Sequence, residues 1–523
     1  MRSTPILDAI IIGAGPSGLG ASIALSGWQP RYKNNCAVDS PQLSTKLRSL
    51  SSPLAEAVRE LAVGLRGRSH NPAALLYDAL QHPGVDRGVR GQPSCLELVH
   101  DPHAALSHVM LDTNPIGGAW HQMHEATTTL SPGFWMELPG YSLADHGVAD
   151  PYARQPRRVI AQYYQAAAER FDVSRHHRAA RATSVRWLHE GADEENKEEE
   201  DGARWEVALS DGTPALRSRA LILAVGTWGV PRRLGIRGEG LPIVSHRCGD
   251  GGLLSAAVDG SGGTTDGGAS GEEAADGSYQ KVLVVGAGLS AADCIIHHLK
   301  RGRHVMHAWR GLAQGTKITS KFGSGGASGM YPEYYALSRG MEWGESPSGR
   351  TERGDSPSGR TEEQGGGIDG IQLLGGIYQP LAGRALKAIE SNGRCAVVRQ
   401  TTRVVEEQQR SEAMEEEEEE EEVTADRVTI LIGSDPDYSF LPAEVLNALA
   451  AAGKPPDTID GVRATHEVFV DVDPFTFEAR AWPGLHALGP LRGDNFVRFA
   501  IHDGHGVAAE LRSRRSEEVG GGG

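Results

Sequence analysis

Long apolar runs are missing from this 523-residue chain. No stretch reaches the ~18 residues that a membrane-spanning helix needs, so no membrane span is expected. Cysteine is scarce. Cys36, Cys95, Cys248, Cys294 and Cys395 are the full set, and none forms a C-x-x-C pair. That pattern argues against a dithiol reductase and against a disulfide framework, and it fits a reducing compartment. The chain enters an apolar segment at Ile6, which leaves no room for a basic, apolar and cleavable leader. A soluble, cytoplasmic protein is expected. A basic stripe is absent too. The formal net charge is −16, and the two acidic runs 193–201 and 415–422 carry −14 of it. The rest of the chain is nearly neutral, so nucleic acid is not an expected partner.

Length alone requires more than one hydrophobic core. Four segments have no core composition: 193–201, 249–278, 340–367 and 406–422 are acidic or rich in Gly, Ser and Thr, and are expected to be disordered insertions. One of them repeats Ser-Pro-Ser-Gly-Arg-Thr-Glu at 346–352 and 356–362, and two copies are too few for a solenoid. Between these segments, Ile6–Ile12, Arg219–Ala224, Lys281–Val285 and Val428–Ile432 read as short buried strands. They alternate with helical patterns. That order predicts an α/β fold built on parallel sheets.

Gly13-Ala14-Gly15-Pro16-Ser17-Gly18 follows the first strand, and a helix begins at its end. Gly13 permits the tight turn, Gly15 lets a pyrophosphate approach the backbone, and Gly18 lets helix and strand pack closely. The helix start adds free amides and a partial positive charge. An acid is then expected at the end of the next strand, to hold ribose hydroxyls. Asp39 has about the right spacing but no clean strand before it. His108–Leu111 followed by Asp112 fits better, which places roughly 80 inserted residues between the first helix and the second strand. Asp112 is therefore the ribose candidate, and a turn-capping Asp is the competing reading.

Gly286-Ala287-Gly288-Leu289-Ser290-Ala291 repeats the motif after Lys281–Val285, with Ala291 in the third small position. The next strand, His304–Trp309, ends at Arg310 rather than at an acid. A guanidinium there suits a 2′-phosphate, which favours NADPH over NADH. Arg303 is a weaker second candidate. Two such loops in one chain predict two Rossmann-like domains and a hydride passing from a nicotinamide to a flavin.

Further stretches carry a family resemblance. They are Gly-Pro-Ser-Gly at 15–18, Gly-Arg-Ser at 67–69, Gly-Gly-Ala-Trp-His at 117–121 and Leu-Ser-Pro-Gly-Phe-Trp-Met at 130–136. Gly-Ala-Gly-Leu-Ser-Ala-Ala-Asp at 286–293, Tyr-Pro-Glu-Tyr at 331–334, Val-Asp-Pro-Phe-Thr at 472–476 and Gly-Asp-Asn-Phe-Val-Arg-Phe at 493–499 complete the set. On these the chain resembles flavin-dependent monooxygenases and, more closely, the oxidative stress-induced growth inhibitor family. The resemblance implies a discontinuous FAD domain, 1–230 with 428–523, and an inserted NADPH domain, 231–427. It also implies a linker carrying Gly238 and His246, and a Gly493-Asp494 pair whose carboxylate bonds the ribityl chain. An N-cap role is the competing reading of Asp494. Trp120, His121, Ser131 and Trp135, with Gly118, are expected along the flavin face, where packing is an equal alternative. No metal is expected, since His121 and His124 lack further ligands. The implied activity is NADPH- and O₂-dependent oxygenation of a small substrate through a flavin C4a-hydroperoxide. The alternative is a cofactor-binding regulator of growth that acts through protein partners.

Overall fold

The computed structural model describes residues 5–33, 36–50, 53–89, 91–188, 202–248, 279–311, 316–322, 331–343, 375–399, 420–451, 458–459, 462–463 and 469–520. The expected insertions 193–201 and 249–278 lie outside these residues, as do 344–367 and 406–419. The other two expected insertions were drawn too wide. Residues 340–343 close a helix, Pro332–Trp343. Residues 420–422 begin a strand, Glu420–Thr424, because its acids meet basic partners across the sheet: Arg384 pairs with Glu421 and Arg394 with Glu422.

The chain forms two compact units. One joins Met1–Val230 to Pro436–Gly523, and the other is Pro231–Asp435. The first crossing falls between Val230 and Pro231. The return falls at 435/436 rather than 427/428, because the strand Arg427–Ile430 pairs parallel with Lys281–Val285 and is part of the second unit's sheet.

The first unit is built on a seven-stranded sheet. Ile6–Ile12 lies between His108–Leu111 and Leu216–Leu223, parallel to both. Leu485–Ala487, from the far end of the chain, also runs parallel to Leu216–Leu223. Side chains alternate across this sheet as the strand period requires. Ala9 and Ile11 enter the core on one face, and Ile10 and Ile12 enter the core on the other. The helix Pro16–Leu25 covers the first face, and Asp503–Gly520 packs on it.

The expected insertion lies between the first helix and the second parallel strand. Among the described residues it carries an antiparallel hairpin, Trp28–Tyr32 with Leu96–His100, and the α-helices Pro41–Arg48, Val58–Ala62 and Pro72–Gln81. Two of these start on a cap followed by Pro: Ser40 accepts from Leu43 N, and Asn71 accepts from Ala74 N. The hairpin brings its flanks together, so Cys36 and Cys95 are disulfide-bonded with Cα atoms 5.4 Å apart. One bridge is thus present where no disulfide framework was expected. Spacing could not reveal it, because the pairing depends on a hairpin closed across the insertion.

The second unit holds a five-stranded sheet in the order Val244–Ser245, Arg427–Ile430, Lys281–Val285, His304–Trp309, Ile377–Ala382, all parallel. An antiparallel three-stranded sheet, Arg384–Ile389 to Glu420–Thr424, contributes to the same core. Gly238 has φ +84°, and a Cβ there would sit 1.9 Å from the Ile389 carbonyl oxygen. His246 bonds Glu239 at 2.8 Å, and Glu239 in turn receives the Leu234 and Gly235 amides. The two residues singled out by resemblance thus fix the entry to this unit. Among the described residues, no helix is long and apolar enough to cross a membrane.

The first unit's terminal helices meet through small residues. A Cβ on Gly504 would lie 2.3 Å from Ala21 Cα, and one on Gly20 would lie 2.1 Å from the Ile501 carbonyl oxygen. Both obstacles are backbone and cannot yield cheaply. Gly504→Val should therefore lower stability by about 1–3 kcal/mol, as overpacking does. The check is a urea unfolding midpoint, where an unchanged value would contradict the close helix approach.

Candidate functional site

Three chain segments converge on the start of the helix Pro16–Leu25. The first is the glycine turn itself. Gly13 takes φ +110°, and a Cβ there would sit 2.3 Å from the Ala224 carbonyl oxygen. A Cβ on Gly18 would meet the Gly13 carbonyl oxygen at 2.0 Å. Gly15, the N-cap, has nothing within 4 Å of its Cβ position. Two of the glycines are thus demanded by packing, while the third faces open space at a helix N-terminus.

The second segment is 112–121. Asp112 Oδ2 accepts from Ala14 N at 2.9 Å, and Oδ1 accepts from Asn114 N at 2.8 Å. The carboxylate therefore braces the turn. Gly117 N donates to the Ala14 carbonyl at 2.8 Å. Gly118 has φ +55°, and a Cβ there would reach within 2.9 Å of Gly15 Cα. Trp120 and His121 follow in the short helix Gly118–His121, half-buried. His121 Nε2 is bonded to the Ile116 carbonyl at 2.9 Å. Ser131 is buried, and its carbonyl accepts from Thr129 Oγ1 at 2.6 Å. Trp135 packs at the edge of the same core. The described residues contain no group of three or more His, Cys, Asp or Glu that could hold a metal ion.

The third segment comes from the other end of the chain. Gly489 has φ +63°, and its Cβ position lies 2.3 Å from Ser17 Oγ. Arg492 and Asp494 follow, both fully buried. Arg492 Nε and Nη2 grip Asp503 at 2.8 and 2.6 Å, and Nη1 bonds Asp494 Oδ2. Asp503 Oδ2 also accepts from Gly489 N at 2.8 Å. Burial opposes the Arg492 charge, but Asp503 and Asp494 more than offset it and hold the guanidinium firmly protonated. Burial pushes the Asp503 carboxyl upward against the pull of Arg492. Asp494 is not an N-cap, because the helix Val497–Ala500 starts on Phe496. Its carboxylate turns inward to Arg492 and to Ser69 Oγ, 2.7 Å away. Ser69, Arg492 and Asp503 were not read from the sequence as site residues. Ser69 sits in the quoted Gly-Arg-Ser stretch, but nothing local marks it as a partner of a residue 425 positions later.

The second unit repeats the strand–turn–helix junction. Gly286 has φ +130°, with its Cβ position 2.2 Å from the Leu431 carbonyl oxygen, while Gly288 again faces open space. Gly288 caps the helix Leu289–Lys300, with Ser290 exposed and Ala291 fully buried. Behind the turn, His307 Nε2 bonds the Gly286 carbonyl and Nδ1 bonds Tyr378 Oη, each at 2.7 Å. Burial lowers the His307 pKa to about 4. The neutral ring therefore donates to Gly286 and accepts from Tyr378. Arg310 is exposed at the end of His304–Trp309, the same end as the glycine turn. Arg303 lies at the opposite end, buried against Tyr279 and His298. It is a packing residue and not a second phosphate candidate. Both open glycines sit where a pyrophosphate could approach helix-end amides, so the donor chemistry fits dinucleotides.

Human oxidative stress-induced growth inhibitor 1 is 30% identical over 533 residues, covering 99% of this chain and 97% of that protein. The chain belongs to the oxidative stress-induced growth inhibitor family. Human oxidative stress-induced growth inhibitor 2 is 28% identical over 544 residues, covering 99% of this chain and 95% of that protein. No family model matches the chain. Among solved structures, a bacillithiol disulfide reductase from Bacillus cereus aligns over 98% of this chain and all of that one, with TM-score 0.53 and 15% identity. At that identity the likeness shows the fold alone, a mixed α/β architecture. The family membership spans the stretches from Gly15 to Phe499 on which the resemblance was read.

Two predictions follow from the site's charges. Arg492→Met leaves Asp494 and Asp503 buried without their counter-ion and should cost about 3–5 kcal/mol, measured by denaturant unfolding at neutral pH. The second concerns Glu137, beside Gly133–Met136. Burial raises its carboxyl from 4.5 to about 7. Between those values the folded protein holds a proton that the unfolded chain has lost, so stability falls as pH rises through that window. Glu137→Gln should flatten this slope. Identical pH profiles for variant and parent would refute it.

Proposed function

We propose that this chain is an NADPH- and FAD-dependent monooxygenase acting on a small molecule with O₂. The single observation that carries the reading is the pair of strand–glycine-turn–helix junctions on separate sheets, each with an open glycine at its helix start. FAD is assigned to the first unit. The amides at 15–18 would receive its pyrophosphate, Asp112 would brace the turn beside the ribose, and Asp494 would accept from the ribityl hydroxyls. Gly118 is assigned to the close backbone approach at Gly15, and Trp120 and Trp135 to water exclusion. NADPH is assigned to Gly286, Gly288, Ser290 and Ala291, with Arg310 on the 2′-phosphate. Bound flavin would supply hydride acceptance from the nicotinamide and oxygen activation.

The residues around the first site limit the proton chemistry. His121 Nε2 is engaged with the Ile116 carbonyl, so Nδ1 is the ring atom assigned to hold or move a proton. Ser131 is assigned to shaping this wall. A disulfide-reductase reading gains nothing from the buried free cysteines Cys294 and Cys395, and burial raises the Cys395 thiol to about 11. The names of the relatives favour a second reading, a growth regulator in which the cofactor folds serve binding to protein partners.

NADPH consumption by purified, FAD-loaded, full-length protein separates the two. Oxidation of NADPH with transfer of oxygen to a substrate supports the enzyme. Bound FAD that NADPH does not bleach supports the regulator. Within the enzyme reading, Arg310→Glu should raise KM for NADPH at least about tenfold, the scale of a lost charge-assisted pair, and leave KM for NADH little changed. Equal effects on both nucleotides would remove Arg310 from the 2′-phosphate site.

A further inference from the structure

The two sulfurs of the Cys36–Cys95 bridge have unlike surroundings. Cys95 is fully buried and belongs to the core of the first unit. Cys36 is only half-buried, and its sulfur lies 4.0 Å from the Pro93 carbonyl in a contact open to solvent. Ala37 and Pro93 are both exposed. Thiol–disulfide exchange begins when a thiolate reaches one sulfur and expels the other, so access decides which sulfur is attacked. Here the sulfur within reach is that of Cys36, and the leaving sulfur is that of Cys95.

The charges nearby suit that exchange. Lys33 Nζ donates to the Ser94 carbonyl at 3.1 Å, one residue before Cys95, and places a positive charge beside the bridge. A cation there stabilises a departing thiolate and draws in an anionic thiol. The acids nearest in sequence, Asp39 and Glu97, are ion-paired with Arg87 and Arg31.

Opening the bridge does not open the hairpin. The last rung of that hairpin joins Tyr32 to Leu96, and Lys33 N donates beyond it to the Cys95 carbonyl at 2.9 Å. These bonds hold the two strands without the sulfurs. What the bridge adds is a tether near the C-terminal end of the helix Pro72–Gln81. Cys95 N donates to the Leu80 carbonyl at 2.7 Å, and Ser94 Oγ donates to Gln81 Oε1 at 2.9 Å. The helix has 10 residues. Its other end, about 15 Å away, starts on Asn71. Asn71 N donates to Ser69 Oγ, and Ser69 Oγ donates to Asp494 at 2.7 Å. Asp78 of the same helix lies 3.3 Å from Arg498. One helix thus runs from the bridge to the C-terminal segment assigned to the flavin.

We propose that Cys36–Cys95 is a modification site for a low-molecular-weight thiol of the glutathione class, and that the state of the bridge sets the affinity of the proposed flavin site. The thiolate RS⁻ attacks Cys36 Sγ. A bond forms between these two sulfurs as the bond to Cys95 breaks, and Cys95 leaves as a thiolate that takes up a proton. A second thiolate attacks the sulfur of the bound R group, which releases RSSR and the Cys36 thiolate. Two RSH thus supply two electrons and two protons, and the bridge becomes two thiols. The effect on flavin rests on the flavin reading above, whereas the exchange itself does not.

The test takes full-length protein purified without reductant and treats it with reduced glutathione at neutral pH. Alkylation quenches the samples, and mass spectrometry maps the peptides. Glutathione on Cys36 with an alkylated Cys95 is expected at early times. FAD binding, followed by flavin fluorescence, should be at least about fivefold weaker once the bridge is reduced, the lower end of ordinary coupling between sites. Cys36→Ser should show the weaker affinity with or without glutathione. The unaltered chain in its two states carries the comparison, so a folding defect in the variant cannot hide the result. Purified protein without the bridge, a bridge that glutathione leaves closed, or an adduct on Cys95 in place of Cys36 overturns the modification site. Exchange at Cys36 with unchanged FAD affinity overturns the coupling. If neither state binds FAD, the flavin reading fails, and the peptide map still decides the exchange.

Discussion

Arg492 is a full positive charge with 1% of its side chain exposed, and it is shared between two carboxylates that are equally buried. Taking one such ion out of water costs several kcal/mol, which only close and directional partners recover. The bidentate grip on Asp503 supplies that geometry, and Asp503 spends a further lone pair on Gly489 N. The consequence is positional. The loop 489–494 is fixed to the start of the C-terminal helix, and that helix is fixed by Gly504 against Ala21 of the first helix. Two ends of the chain, nearly 500 residues apart, are thus registered against the same glycine turn. A conventional salt bridge at the surface would contribute at most about 1 kcal/mol and could not impose that register.

The insertion 26–107 is tied into the same arrangement. Ser69 reaches Asp494, while Asp78 and Asp86 reach Arg498 at 3.3 and 2.7 Å. Arg498 also lies 4.3 Å from the Trp135 ring, so the insertion, the 130–136 stretch and the C-terminal segment share one buried charge. Cys36 and Cys95 close the insertion on itself. It is therefore a structural part of the candidate site rather than a decoration between two strands.

The glycine turns were legible because their chemistry is local. A strand of β-branched residues, a turn that needs positive φ, and a helix start within eighteen residues leave few other solutions, and both junctions occur where the spacing put them. His108–Leu111 was legible as the second strand for the same reason. Ser40-Pro41 and Asn71-Pro72 were equally local helix starts, although they were not used to place helices in the insertion. Arg303 shows where spacing misleads: proximity in sequence to a strand says nothing about which end of the strand faces a ligand. Asp494 was singled out through the resemblance, but its ionic partners were not legible. Arg492 and Asp503 look like ordinary surface charges until the fold buries them with it, and Ser69 joins them only through a contact across the whole chain.

The two turns are braced from behind by opposite chemistry. At the first, the Asp112 carboxylate accepts the Ala14 N–H and so removes one donor from those able to face an anion. At the second, the neutral His307 ring donates to the Gly286 carbonyl and keeps an acceptor turned away from the open side. An anionic brace beside a pyrophosphate is tolerable only if its charge is directed elsewhere, and Asp112 meets this by bonding the amides of Ala14 and Asn114 with its two oxygens. The His307 brace needs no such compensation, because burial keeps the ring uncharged throughout the physiological range. Each turn therefore leaves its remaining helix-end amides beside the open glycine, Gly15 or Gly288.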